Sequence, residues 1–328
     1  MYARPDQRHR PSPPSEGLNP PFAEPYRSVS ERHGSTQPPD QGVTVPESIT
    51  LTAGTARVSA IAQTGSSSGL PLLVCIPGGS YNSGYFDVPG HSLFAAAGER
   101  GFPIVAVDRP GYGASDPLPG DVSFAGNASV LTDAIAGLWA RQEKTCPGIV
   151  LIGHSMGGAI AVHIAARHPR WPLLGISINA IHDVPPQTVT GAWQAIPRGT
   201  TINFTSEDRA HYMYGPEGTH SPAVLSAAEP ACAPIPVDEL HEVIEGWPRD
   251  FARLAPRVNV AVHYSLAEHE QLWNSTPDNI SAFAGAFTAA PQITTHIINN
   301  SGHNVDHHHA GPAFHTGQLD WAARLTRA

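Results

Sequence analysis

Three short segments of this chain are apolar at every position: Leu72-Leu73-Val74-Cys75-Ile76, Ile104-Val105-Ala106-Val107 and Ile149-Val150-Leu151-Ile152. Successive side chains of an extended chain point to opposite faces, so a strand with one wet face alternates apolar and polar residues. Continuous apolarity requires both faces to be covered, as in a parallel sheet between two layers of helices. Each run ends at Pro, Asp or Gly, and helical stretches near 90–100 and 128–142 separate them. The alternation continues with a helix at 157–168, strands at 173–180 and 258–264, a helix at 277–289, a strand at 292–299 and a final helix from about 313. The pattern predicts an α/β fold with a doubly wound, mostly parallel sheet. Ahead of it, the alternation of Ile49, Leu51, Val58 and Ala60 predicts an antiparallel hairpin around Gly54.

Two segments depart from this rhythm. Residues 1–45 hold nine prolines with no apolar periodicity and are expected to form an extended, disordered leader. Residues 184–256, rich in Pro, Gly and aromatics, fall between two strands expected to be neighbours. They are read as an inserted cap that divides the core into 46–183 and 257–328. The leader carries five acidic and five basic residues, so the net charge of −9 lies on the folded body. That sign, with no basic cluster, argues against a nucleic-acid partner, whose phosphates need clustered Lys and Arg. Cys75, Cys146 and Cys232 are an odd, sparse set suggesting neither a disulfide framework nor a zinc site. No segment approaches the 18 or so apolar residues of a membrane span, and the N-terminus lacks the apolar stretch of a secretory signal. A soluble, cytoplasmic protein with no membrane partner is therefore expected.

The chemistry concentrates on Gly153-His154-Ser155-Met156-Gly157, which follows an apolar strand and precedes the helix-forming run Gly158-Ala159-Ile160-Ala161-Val162-His163-Ile164-Ala165-Ala166. A sharp strand-to-helix turn forces the serine backbone into a strained conformation and brings neighbouring chain close, so glycine is needed on both sides. Such a turn projects Oγ above the sheet, while the amides at the helix N-terminus face any negative charge developing there.

On these residues the chain resembles the serine-nucleophile branch of the α/β-hydrolase superfamily, with an inserted cap, over roughly residues 48–327. The resemblance implies roles for further residues. Ile76-Pro77-Gly78-Gly79-Ser80 is similar to the family's oxyanion loop, although Pro77 stands where His is common; by position, the N–H groups of Gly79 and Met156 would hold an oxyanion. Asp108-Arg109-Pro110-Gly111-Tyr112-Gly113-Ala114-Ser115 resembles a structural segment of the family. The base is expected at His303, after Ile297-Ile298-Asn299, and the acid at Glu270 in Ala267-Glu268-His269-Glu270. Asp183 and Glu268 remain alternatives for the acid. The order Ser155, Glu270, His303 is that of the family. His307-His308-His309 invites a metal reading, but consecutive residues do not all point at one ion, so no metal and no cofactor is expected. Asp306 is expected to cap or orient this loop.

The implied activity is hydrolysis, through an acyl-enzyme, of an ester, thioester or lactone of a medium-sized apolar substrate. A serine nucleophile disfavours dehalogenase and epoxide-hydrolase chemistry, which need a carboxylate at that position. Carbon–carbon bond hydrolysis, a tailoring or cyclising step on the same site, and a non-catalytic ligand-binding role are the alternatives. The partner is expected to be a small acyl compound contacted by Ser80, Tyr81, His154, Trp193 and Tyr212. Tyr85, Phe86, Phe204, Tyr214 and Trp247 are further aromatic candidates for the pocket or for packing.

Overall fold

The computed structural model describes residues 45–326, so the expected leader lies outside the described residues but for its last member. β1 (Glu47–Ala53) and β2 (Ala56–Gln63) form the expected hairpin, with Leu51 opposite Val58. There follow β3 (Leu72–Ile76), α1 (Leu93–Glu99), β4 (Ile104–Val107), α2 (Phe124–Gln142), β5 (Ile149–His154), α3 (Met156–Ala165) and β6 (Leu173–Asn179). Between β6 and the next large strand lie α4 (Gln187–Gln194), β7 (Thr201–Ile202), α5 (Ser206–Met213), α6 (Ala223–Ala228), β8 (Ile235–Pro236), α7 (Val237–His241) and α8 (Trp247–Leu254). The chain closes with β9 (Ala261–Ala267), α9 (Pro277–Gly285), β10 (Ile293–Ile298) and α10 (Gly311–Arg324).

Eight strands form one sheet in the order β1-β2-β4-β3-β5-β6-β9-β10, antiparallel at the β1-β2-β4 edge and parallel elsewhere. The continuous apolar runs behave as their composition requires. Leu72, Val74 and Ile76 face a core shared with α2 and α3, while Leu73 and Cys75 face a second core under α1 and α10. Each fully buried aliphatic side chain contributes roughly 1.5–3 kcal/mol of hydrophobic stabilisation.

Element ends follow local chemistry. α2 starts at Phe124, four residues before the sequence expectation, because the Ser123 hydroxyl accepts the Gly126 N–H at 3.0 Å and caps it. β9 lies three residues later than expected. A 3-10 turn at Ala255–Arg257 occupies the approach, and the strand runs on to Ala267 with polar His263 and Ser265 buried between β6 and β10.

Residues 184–256 connect two strands that are neighbours in the sheet. Within them, β7 and β8 pair antiparallel, and α8 packs on α3 with Trp247 and Phe251 in the main core.

Strand order reverses at β3, flanked by β4 on one side and β5 on the other, and a crevice at the carboxyl ends of such strands is where ligands bind in open α/β sheets. Ile76 pairs with Gly153, so the loops leaving β3 and β5 emerge side by side. The β5–α3 turn is tight. Ser155 sits at φ 52°, ψ −123°, a costly conformation for a residue with a side chain. A Cβ on Gly153 would lie 2.6 Å from the Gly157 carbonyl oxygen, and one on Gly157 would overlap the Ile76 carbonyl. Gly157→Ala is therefore expected to destabilise the fold by at least about 1–3 kcal/mol, whereas Gly191→Ala, in open space on α4, should be neutral or stabilising by up to about 1 kcal/mol. Urea unfolding of the two variants checks the contrast.

Candidate active site

A serine just before a helix ordinarily caps it, its hydroxyl accepting an N–H one turn ahead. Ser155 occupies that position at the start of α3, but its side chain makes no capping bond. The strained backbone turns Oγ away from the helix, and the hydroxyl lies 3.0 Å from His303 Nε2. His303 stands in the loop after β10, and its Nδ1 lies 2.8 Å from Glu270 Oε1. Both side chains are almost completely buried, and Glu270 Oε1 also accepts the Leu272 N–H at 3.0 Å. A linear relay thus joins the ends of β5, β9 and β10. Neither alternative acid reaches His303: Asp183 contacts His182 Nδ1 at 2.9 Å, and Glu268 accepts the Asn300 N–H at 2.8 Å.

His154, beside the serine, is buried with Nδ1 2.9 Å from Asn179 Oδ1, stacked on Tyr85 and edge-on to His303. Burial, reinforced by the neighbouring His303 charge, lowers its pKa to about 3. It stays neutral and adds no repulsion against a proton on His303.

The consecutive histidines brace the loop that carries His303. His308 Nδ1 donates to the Asn304 carbonyl at 2.8 Å, and Nε2 accepts the N–H groups of Gly302 at 2.9 Å and Gly215 at 3.0 Å. His307 Nε2 donates to the Tyr85 carbonyl at 3.0 Å, and its Nδ1 lies 3.2 Å from the Tyr214 hydroxyl. Their ring nitrogens are engaged within the fold. Asp306 orients the same loop, as expected: it accepts the Tyr85 hydroxyl at 2.9 Å and a hydrogen bond from His315 Nε2 at 3.0 Å. Burial works against its charge, but the His315 contact outweighs burial and holds the carboxyl below its ordinary range.

Above Ser155 opens a small, mostly apolar cavity. Gly79, Tyr81, His154, Met156 and His303 line its floor, and Leu272 and Trp273 follow from the β9 loop. Trp193, Phe204, Met213, Ile235, Leu240 and Val243 close it from residues 184–256. Among the described residues, no Arg, Lys, Asp or Glu lines it.

Of the substrate-contact expectations, Tyr81, Trp193 and His154 line this cavity, and Ser80 and Tyr212 do not. Ser80 is buried with its hydroxyl accepting from Arg209 Nη1 at 3.2 Å, and Tyr212 packs on His211 and Phe204. Tyr85, Phe86, Tyr214 and Trp247 serve packing: Tyr85 and Tyr214 bond the His303 loop, and Trp247 Nε1 donates to the His182 carbonyl at 2.9 Å. Trp273 escaped sequence reasoning, although an apolar pair directly after an acid loop is a readable signal; its Nε1 donates to the Ala180 carbonyl at 3.0 Å. Also unforeseen is a buried cluster in which Arg109 pairs with Glu239 on α7.

Residues 73–314 match the alpha/beta hydrolase family, and the chain belongs to it. A segment of 94 residues is 35% identical to the AB hydrolase superfamily protein YfhM of Bacillus subtilis, covering 28% of this chain and 31% of that protein. Over 141 residues it is 29% identical to human protein phosphatase methylesterase 1, covering 43% of this chain and 35% of that protein. The matched segments span about a third of the length of these curated relatives. Its fold is similar to that of a thermophilic esterase from Thermogutta terrifontis, with TM-score 0.60 and 19% identity over 86% of this chain and 99% of that one. Among the described residues, no helix is long and apolar enough to cross a membrane.

Burial lowers the pKa of His307 and His308 to about 4. An unfolded chain protonates these rings near pH 6.5, so between about 6.5 and 4 it binds more protons than the folded one. The stability the two neutral rings contribute is complete above pH 6.5 and is lost as pH falls to about 4, on the order of 1–3 kcal/mol per ring. The urea midpoint should fall over that window, and His308→Gln should flatten part of the fall.

Proposed function

We propose that this hydrolase-family chain is a serine hydrolase cleaving a carboxylic ester, thioester or lactone of an uncharged, medium-sized apolar acyl group through an acyl-enzyme. The observation that carries the reading is the buried line from Ser155 through His303 to Glu270, opening on an apolar cavity. In this reading His303 takes the Ser155 proton as Oγ attacks the substrate carbonyl, and Glu270 holds the imidazole tautomer and balances its charge. The N–H groups of Gly79 and Met156 receive the oxyanion. Each such donor is worth about 10²–10³ in kcat. His303 returns the proton to the leaving group, then removes one from the water that releases the acid.

The cavity supports the substrate class. A lining without formal charge favours a neutral acyl group over a dicarboxylate or a phosphoester. The names of the esterase and methylesterase to which the chain is similar agree with carboxylic ester cleavage.

Ser155→Ala should abolish hydrolysis of p-nitrophenyl esters and covalent labelling by a fluorophosphonate, and labelling that persists on another serine would overturn the assignment. Glu270→Gln should lower kcat on the order of 10²–10⁴-fold with little change in KM. Across esters of graded chain length beside a lactone panel, activity should peak at short to medium acyl chains. Product analysis that shows cleavage of carbon–carbon bonds alone would replace the ester reading.

A further inference from the structure

The loop that would receive the oxyanion is held from behind by charge. Arg109, in the Asp108–Ser115 segment, is fully buried, and so almost is Glu239 on α7, 130 residues further along. Arg109 Nη1 donates to Glu239 Oε1 at 2.8 Å and Nη2 to Oε2 at 3.0 Å, a two-pronged pair. The Tyr112 hydroxyl donates to Oε2 at 2.7 Å, with the Arg109 guanidinium lying over the Tyr112 ring. Burial disfavours the charge on Arg109, and the Glu239 carboxylate outweighs that penalty.

Two bonds leave this cluster for the loop. Arg109 Nη2 donates to the Gly78 carbonyl at 3.1 Å, and Tyr112 Oη accepts the Ser80 N–H across a long 3.5 Å. The Gly78 carbonyl and the Gly79 N–H are the two ends of one planar peptide group. Fixing the oxygen therefore fixes the direction of the N–H, and a cation on the oxygen draws electron density from the nitrogen and strengthens it as a donor. The peptide on the other side of Gly79 is tethered through Ser80, itself held at φ 61°. The peptide planes on both sides of Gly79 are thus tethered to this cluster.

We infer that Arg109 and Tyr112, clamped by Glu239, are positioning residues that aim and polarise the Gly79 N–H at the oxyanion. The inference rests on the proposed role of Ser155 and Gly79. It also gives residues 184–256 a part in the chemical step, because Glu239 sits one residue from Leu240 in the cavity wall. A second contribution, to acyl binding through that wall, is separable by kinetics.

The test uses the full chain with Arg109→Lys, which keeps the charge but loses the planar fork, and Tyr112→Phe, which keeps the ion pair. p-Nitrophenyl butyrate measures kcat and KM. A trifluoromethyl ketone of matching chain length reports the oxyanion directly: Ser155 Oγ bonds to its carbonyl carbon, the carbonyl π pair moves to oxygen, and the serine proton passes to His303. The corresponding alcohol reports acyl binding alone. The expected result is a fall of about 10–100-fold in kcat, a parallel rise in the ketone Ki, and KM and alcohol Ki within about threefold of the unmutated protein.

Unchanged kcat and ketone Ki in folded variants would overturn the inference, as would ketone and alcohol Ki rising together. Should Arg109→Lys fail to fold, Tyr112→Phe carries the same comparison. Unmutated protein that a fluorophosphonate does not label at Ser155 overturns the underlying reading and this inference with it. Normal labelling with an unmoved ketone Ki overturns this inference alone.

Discussion

The parallel pairing of β3 with β5 is the constraint on which the site depends. Ile76 and Gly153 are register partners, so the strands end level and their loops must leave through the same space. That space accepts the β5 loop only because Gly157 can sit against the Ile76 carbonyl. The same crowding leaves Ser155 in a backbone conformation that a looser turn would relax. Strain here has a use: it withholds the hydroxyl from the helix end it would otherwise cap and delivers it to His303.

Around this point the molecule places its polar groups with little slack. The His303 loop is braced by two rings, and His154, the histidine packed edge-on to His303, is kept neutral by burial. In the proposed reaction a proton on His303 would meet Glu270 on one side and no competing charge on the other. The cavity side is apolar, which limits the water able to weaken these contacts. Burial, rather than any single strong bond, gives the arrangement its electrostatic sharpness.

Much of this is legible in the sequence. Leu72–Ile76, Ile104–Val107 and Ile149–Ile152 announce buried strands because nothing else tolerates apolar residues on both faces. The glycines around Ser155 announce a tight turn for steric reasons that a sequence can express. The resemblance to the α/β-hydrolase family that they carry implies Glu270 and His303, which the fold brings within hydrogen-bond reach of one another. Illegible were features that exist only by juxtaposition. Nothing in Val237–His241 marks Glu239 as the partner of an arginine 130 residues earlier, and nothing in the sequence around His307 and His308 names the distant backbone groups they serve. β9 misled for a local reason: buried Ser265 looks like the end of a strand when its partners lie on β6 and β10.

The ion pair between Arg109 and Glu239 bears on modularity. Insertions between β6 and β9 invite exchange, since the sheet closes around their ends. Here an exchange that brought no carboxylate to the place of Glu239 would strand a guanidinium in the interior, a loss of about 3–5 kcal/mol. Sheet and insertion are thus one heritable unit in this chain: the segment that shapes the cavity travels with the segment that holds its floor.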